Sequence, residues 1–403
     1  MTLLWTSENS RRQDACTPVE GIKRDTDIRA WSQKEISDML EGCSMGASVD
    51  TASVAKCVED ITVSIRGYRD EKYLMLFLRL KELCVERKLA LYAAKMDRNI
   101  AMNHFYRNNS DTAIGLIEKT ILFLEKRRNT DFLFVCYSDL GLINYYIGEY
   151  MKAKGLLEKA EVLLPQVFSQ LSNDALHCYY YRQGLAYNRI LETDIARQFL
   201  QKAENYAVSK VDKGLSVMNI GVSYKGDRDF SKAFEYFNKA LDIFGEDCLK
   251  ERGIVYNNMA YIYSTLGKYD KAMEYINMAF ELVDENNQSY YFMFFETYTE
   301  IKVLMGEPEV IIDKFLDLLP NVKDMFVERK FVIETLNNII IAFNEDVDML
   351  KRLQKEVRKL DAHVAPDNME YRMELEKCLN KIGYFMLAIN KNQGGNLYEK
   401  EIF

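Results

Sequence analysis

The chain has 403 residues, 53 of them basic and 61 acidic, for a formal net charge of −8. Apolar residues make up 48%, enough to bury a large core, which excludes intrinsic disorder. Only five prolines occur, with none between Pro18 and Pro165 or between Pro165 and Pro308, and breaker-free stretches that long exclude an all-β fold. The longest run without a charge, Gly253 to Gly267, falls short of the roughly 20 apolar residues needed to span a bilayer. Eight cysteines are scattered without a Cys-x-x-Cys pair. This excludes a disulfide scaffold and implies a reducing compartment. The N-terminus (Glu8, Arg11, Arg12, Asp14) shows no secretion signal, so a cytoplasmic location with no membrane partner is expected.

Residues 1–25 are polar and carry Pro18 and Gly21, which predicts a flexible N-terminus. A small helical domain is expected over residues 26–66. Ser32 and Glu35 form a capping box, Ile36, Met39 and Leu40 give one apolar face, and a Gly42 to Gly46 turn follows. A second helix is predicted from about Val49 to Ile61, with Val54, Ala55, Val58 and Ile61 apolar. Two such helices fit a helix-turn-helix whose recognition helix is Ser48 to Lys56. Gln33, Lys34, Ser48, Thr51, Ser53 and Lys56 are then the candidate DNA-binding residues. A small cap on the following domain fits the pattern as well. Residues 1–60 hold 7 basic and 11 acidic residues, a net −4, whereas DNA-binding surfaces usually show a basic excess.

A repeat fills residues 67–365. Counting Gly253 as position 1, the chain has Tyr256 at 4, Ala260 at 8, Tyr263 at 11, Gly267 at 15, Ala272 at 20, Ile276 at 24 and Ala279 at 27. The register recurs from Phe134 (Gly141, Gly148, Ala153, Leu157, Ala160), from His177 (Gly184, Ala196, Leu200, Ala203) and from Gly214 (Gly221, Ala233, Phe237, Ala240). Weaker copies start at Ala94 and Phe292. Small residues at 8, 20 and 27 let two antiparallel helices approach, and large ones at 4, 11 and 24 fill the space between them. This is the tetratricopeptide pattern. The spacing of 37 to 43 residues exceeds the usual ~34, so lengthened helices or turns are expected. The expected fold is all-α: a tetratricopeptide-repeat right-handed superhelix with a small N-terminal helical, helix-turn-helix-like domain. Further helices are predicted at about Glu328 to Phe343 and Val347 to Leu360, and a capping helix with a tail over residues 366–403.

No constellation for catalysis is visible. His104, His177 and His363 lie far apart, and no metal-spaced cysteine cluster, nucleophile elbow or phosphate-binding glycine loop occurs. The expectation is a protein that is not an enzyme and carries no cofactor or metal. A superhelix instead offers a groove lined by positions 2, 5, 9, 12 and 13 of each repeat. Tyr145, Tyr181, Asn188, Met218, Asn257, Tyr261, Glu296 and Glu300 occupy such positions and are the candidate peptide-binding residues. Amides both donate to and accept from a peptide backbone, and Glu296 and Glu300, one turn apart, suit a cationic side chain. Packing between neighbouring repeats is the competing role for each tyrosine.

Repeats behind a short helix-turn-helix-like segment resemble the RRNPP peptide-pheromone receptors, and among them the arbitrium receptors of temperate phages. The stretch Arg66 to Asn99, with its Ala-Leu-Tyr-Ala-Ala run at Ala90 to Ala94, looks like that family's link into its first repeats. The resemblance implies a homodimeric transcription regulator whose groove takes a short signalling peptide, changing dimer geometry and operator DNA binding. Lysis–lysogeny or quorum-sensing control would follow. Two other readings stay open: a Rap-like regulator that binds a response regulator, and a generic scaffold for protein partners. Dimerisation is expected through the C-terminal helices, where Phe331, Ile339, Ile340, Ile341 and Phe343 exceed what one terminal face needs to bury.

Overall fold

The computed structural model describes residues 51–64, 71–107, 109–283, 288–318, 326–363 and 369–392. The expected flexible N-terminus and the first helix of the helix-turn-helix reading lie outside them. Among the described residues the regular structure is helical, with no strand. In chain order the helices are α1 (Thr51–Ser64), α2 (Glu71–Glu86), α3 (Ala90–Tyr106), α4 (Ser110–Arg127), α5 (Thr130–Tyr146) and α6 (Tyr150–Val167). There follow α7 (Asn173–Arg189), α8 (Thr193–Tyr206), α9 (Lys210–Gly226), α10 (Phe230–Phe244), α11 (Leu249–Thr265) and α12 (Tyr269–Glu281). The last are α13 (Gln288–Leu304), α14 (Glu309–Leu318), α15 (Phe326–Ala342), α16 (Val347–His363) and α17 (Met369–Asn392). They divide into two compact units, residues up to Ile243 and residues from Phe244 onward.

In the unit up to Ile243, α3 packs on α4, α5 on α6, α7 on α8 and α8 on α9. The small-large-small pattern of the sequence does this packing. Ala153, Leu157 and Ala160 on α6, and Ala196, Leu200 and Ala203 on α8, have no exposed surface. The facing glycines allow the approach: a Cβ on Gly141 would sit 2.7 Å from Leu157 Cγ, and one on Gly184 2.5 Å from Leu200 Cγ. Side-chain caps start several helices, with Asn129 accepting from the Phe132 amide at 3.2 Å, Ser172 from Ala175 at 3.2 Å and Ser209 from Asp212 at 3.1 Å. Helix α1 docks on α2 and α3, with Val54, Val58 and Ile61 fully buried.

In the unit from Phe244 onward, α11 packs on α12 and α13, α13 on α15, and α17 on both α15 and α16. Ala272, Ile276 and Ala279 repeat the fully buried pattern, and Phe295 stacks on Phe315 at 6.3 Å, tying α13 to α14. Of the apolar residues expected to form a dimer contact, Phe331, Ile339, Ile340 and Phe343 are buried within this unit and only Ile341 is exposed. The surplus apolar surface inferred from the sequence is consumed by α13 and α17, which the sequence alone did not place against α15. Across both units, position 15 of the repeat, in the turn between paired helices, adopts left-handed backbone. Gly148 (φ 92°), Gly267 (φ 70°) and Gly306 (φ 76°) fill it as expected, but Leu191 (φ 62°) and Arg228 (φ 63°) take the same conformation.

Candidate functional site

The candidate ligand residues fall into two sets, Tyr145, Tyr181, Asn188 and Met218 in one unit and Asn257, Tyr261, Glu296 and Glu300 in the other. In the first, these side chains fasten neighbouring repeats together. Tyr145 is buried, edge-on to Tyr146, and its hydroxyl accepts from Arg189 Nε at 3.3 Å. Tyr181 stacks on His177 at 5.8 Å, and its hydroxyl accepts from Asn219 Nδ2 at 2.8 Å. Asn188 donates to the Asn219 carbonyl at 3.2 Å and accepts from Ser223 Oγ at 2.5 Å, while Met218 is buried. A ligand reaching this face meets amides that already hold α7 to α9.

Sequence reading missed the charged centre of this unit. Asp139 on α5 is 1% exposed and accepts from Arg98 Nε on α3 at 2.6 Å and from Arg182 Nη1 on α7 at 3.0 Å. Arg182 Nη1 also donates to Ser138 Oγ at 2.7 Å, and Arg98 Nη1 to Asn99 Oδ1 at 3.1 Å. Burial pushes the Asp139 carboxyl up, but the two guanidiniums outweigh it and hold the group below the ordinary carboxylate range. The only signal in the sequence was alternating charge at near-equivalent positions of three consecutive repeats. Close by in the chain, His177 is fully buried, hydrogen-bonded through Nδ1 to the Ala203 carbonyl at 2.9 Å, with Nε2 3.9 Å from Asp212 Oδ1. That geometry makes it a packing residue of α7, in line with its place at position 1 of a repeat.

The second set sits on α11 and α13. Asn257 is 3% exposed, and its Oδ1 makes no hydrogen bond among the described residues. Ser264 Oγ on the same helix, Thr299 Oγ1 on α13, and Thr335 Oγ1 and Asn338 Nδ2 on α15 are likewise buried without a hydrogen-bond partner among the described residues. Buried polar atoms are nearly always paired, because an unmet donor or acceptor costs about 1 to 3 kcal/mol. Five such atoms lie on α11, α13 and α15, of which α13 packs on both of the others, and such a set suits a ligand that brings its own donors and acceptors. Tyr261 is buried beside them, Glu296 is fully buried and Glu300 half-buried one turn further along α13. Of the five atoms, the sequence picked out only Asn257; the other four belong to residues whose burial no local pattern announces.

Among the candidate DNA-binding residues, Gln33, Lys34 and Ser48 lie outside the described residues. Thr51, Ser53 and Lys56 fall on the first turns of α1; Thr51 and Lys56 are exposed, and Lys56 lies on the side of the helix opposite the buried Val54 and Val58. Among the described residues no three His, Cys, Asp or Glu side chains form a metal-binding group, and no helix is long and apolar enough to cross a membrane.

Residues 215–285 match the tetratricopeptide repeat family. No curated protein matches the chain in sequence. Among solved structures, the chain is similar in fold to the apo form of the quorum sensor NprR from B. thuringiensis, at 16% identity and a TM-score of 0.52 over 84% of this chain and 100% of that one. The apo form of RapI aligns at 16% identity and a TM-score of 0.52, covering 86% of this chain and 99% of that one. A Rap protein complexed with Competence and Sporulation Factor aligns at 14% identity and a TM-score of 0.51, covering 90% and 96%. At these identities the likeness is one of fold.

Proposed function

We propose that this protein is a peptide-sensing regulator in which a linear peptide of roughly five to ten residues binds the first helices of the repeats. The observation that carries the reading is the set of buried polar atoms at Asn257, Ser264, Thr299, Thr335 and Asn338 that find no hydrogen-bond partner among the described residues. An extended peptide backbone presents donors and acceptors in the alternation such a surface can satisfy. Glu296 and Glu300 suit a cationic side chain of that peptide. The fold shared with a quorum sensor and with a Rap protein complexed with Competence and Sporulation Factor supports the same reading. Its output is operator DNA, contacted through Thr51, Ser53 and Lys56 together with Gln33, Lys34 and Ser48, in lysis–lysogeny or quorum-sensing control.

A second output is favoured by one observation, the net −4 of residues 1–60. An acidic segment suits a protein target such as a response regulator better than phosphate. Calorimetry with synthetic peptides from the product of a neighbouring small reading frame tests the sensing step. Asn257→Ala should weaken the best binder by about 1 to 3 kcal/mol, since peptide groups lose their partner. Undiminished affinity would remove Asn257 from the site, and no binding by any such peptide would remove the reading.

A further inference from the structure

Three successive repeats stack a ring at position 11 on a ring at position 23: Tyr187 on Phe199 at 5.4 Å, Tyr224 on Tyr236 at 5.3 Å and Tyr263 on Tyr275 at 5.2 Å. In the repeat that starts at Phe292, both positions hold lysine, Lys302 and Lys314. Lys302 lies over Tyr298 at 6.0 Å, and its charge is matched by Glu307 at 2.7 Å. Lys314, on α14, is exposed and makes no ion pair among the described residues. Its Nζ stands over four rings instead, 5.3 Å from the centre of Phe280 on α12 and 5.7, 5.8 and 5.6 Å from Tyr291, Phe295 and Tyr298 on α13. Tyr291 and Phe295 are buried and make the floor, while Phe280 and Tyr298 are half-buried. Phe280 is inclined by 55° to Tyr291 and by 77° to Tyr298, so the rings form a box and not a flat platform.

We propose that this box is a binding site for a quaternary ammonium group, with Lys314 as its internal plug. Aromatic faces attract cations, most of all cations that give up little hydration. A lysine ammonium is strongly hydrated, whereas a fully methylated nitrogen has no N–H to hydrate. Size points the same way. A bare ammonium can touch a ring face at about 3.5 to 4 Å. One N–C bond adds about 1.5 Å, which puts a methylated nitrogen about 5 to 5.5 Å from the ring. The distances at Lys314 match the second figure, so the box is about one methyl group too wide for the lysine that fills it. Charge selects the sign of the ligand. Asp317, exposed three residues further along α14 and so on the same side of the helix, draws cations to the mouth and repels a phosphate or carboxylate. Among the described residues only the rings hold the Lys314 charge, so its flexible stem can carry it into water while a ligand takes its place. None of this depends on what the first helices of the repeats bind.

Calorimetric titration of the full-length chain with choline tests it, alongside the neutral analogue in which carbon replaces the nitrogen. Choline should bind, and Lys314→Gln should tighten it about tenfold, because the plug no longer competes. Phe280→Leu and Tyr298→Leu keep apolar bulk but remove a ring face, and each should weaken choline binding to the Lys314→Gln chain several-fold. The neutral analogue should bind several-fold more weakly than choline. Phosphatidylcholine vesicles distinguish the sources of the group: flotation of the Lys314→Gln chain with them assigns a lipid head group, and choline binding without flotation assigns a free solute. Far-ultraviolet melting curves check that each variant is folded, and Lys314→Ala repeats the unplugging with a second side chain. No binding of choline to either Lys314 variant, equal binding of the neutral analogue, or an affinity indifferent to both ring substitutions would each overturn the proposal.

Discussion

Asp139 carries its charge inside the protein, clamped between Arg98 and Arg182 from the helices on either side. Removing one member of a buried charged group leaves the others desolvated and unpaired, which typically costs about 3 to 5 kcal/mol. Asp139→Asn should therefore lower the urea midpoint by an amount of that order, while Asp139→Glu, which keeps the charge, should lower it less. The pH dependence has a definite sign. The folded carboxyl titrates below its unfolded counterpart, near 4, so its stabilisation is fully present above that value. It is lost as the pH falls through the lower, folded value. Denaturation curves of the parent and Asp139→Asn should differ most at neutral pH and converge as the pH falls, and a difference that does not shrink in acid would assign the loss to packing.

At the scale of the element, the repeat's turn position shows local chemistry bent by the array. Gly148, Gly267 and Gly306 occupy left-handed backbone without strain, while Leu191 and Arg228 adopt it with a Cβ in place. For an L-residue that conformation costs roughly 1 to 2 kcal/mol, and glycine's extra freedom in the unfolded chain returns about half of the gain. Leu191 is 60% exposed, so little burial is lost on replacing it. Leu191→Gly should raise the thermal midpoint, by a stabilisation of about 0.5 to 1 kcal/mol. The reverse exchange at Gly267, to leucine, should lower it by a similar or larger amount. If Leu191→Gly melts below the parent, the turn is held by contacts of the leucine side chain rather than by backbone preference.

For the whole molecule, the decisive question is what an acidic chain contacts through α1. Helix α1 buries Val54, Val58 and Ile61 against α2 and α3, so it belongs to the packed array and cannot be cut away without exposing core. Substitution on its exposed side is the cleaner probe. Lys56→Glu should weaken an operator gel shift several-fold and flatten its salt dependence, since one fewer phosphate is neutralised. Stability should change by no more than about 0.5 kcal/mol, as for most exposed charge changes. Failure of the intact protein to shift any upstream fragment would leave the response-regulator output as the better reading.

The sequence by itself determined the helical fold and the repeat register, because both rest on local periodicity. The Ala153, Leu157, Ala160 pattern and its copies are small-large-small at fixed spacing, and in the four clear repeats these positions have no exposed surface, whereas Tyr263, expected to fill space at position 11, is only partly buried. Helices α15, α16 and α17 also lie within a few residues of where their apolar spacing put them. What each polar side chain does was decided by tertiary structure. Tyr181 and Asn188 sit at positions that in one dimension read as ligand-facing, yet their partners, Asn219 and Ser223, come from the next repeat. Nothing in local spacing singles out Asp139, whose partners Arg98 and Arg182 come from about 40 residues away on either side. Ser264, Thr299, Thr335 and Asn338 are singled out only by hydrogen bonds they do not make among the described residues. A hydrogen-bond partner distant in sequence, or its absence, leaves no trace in local spacing, so the three-dimensional packing alone assigns it.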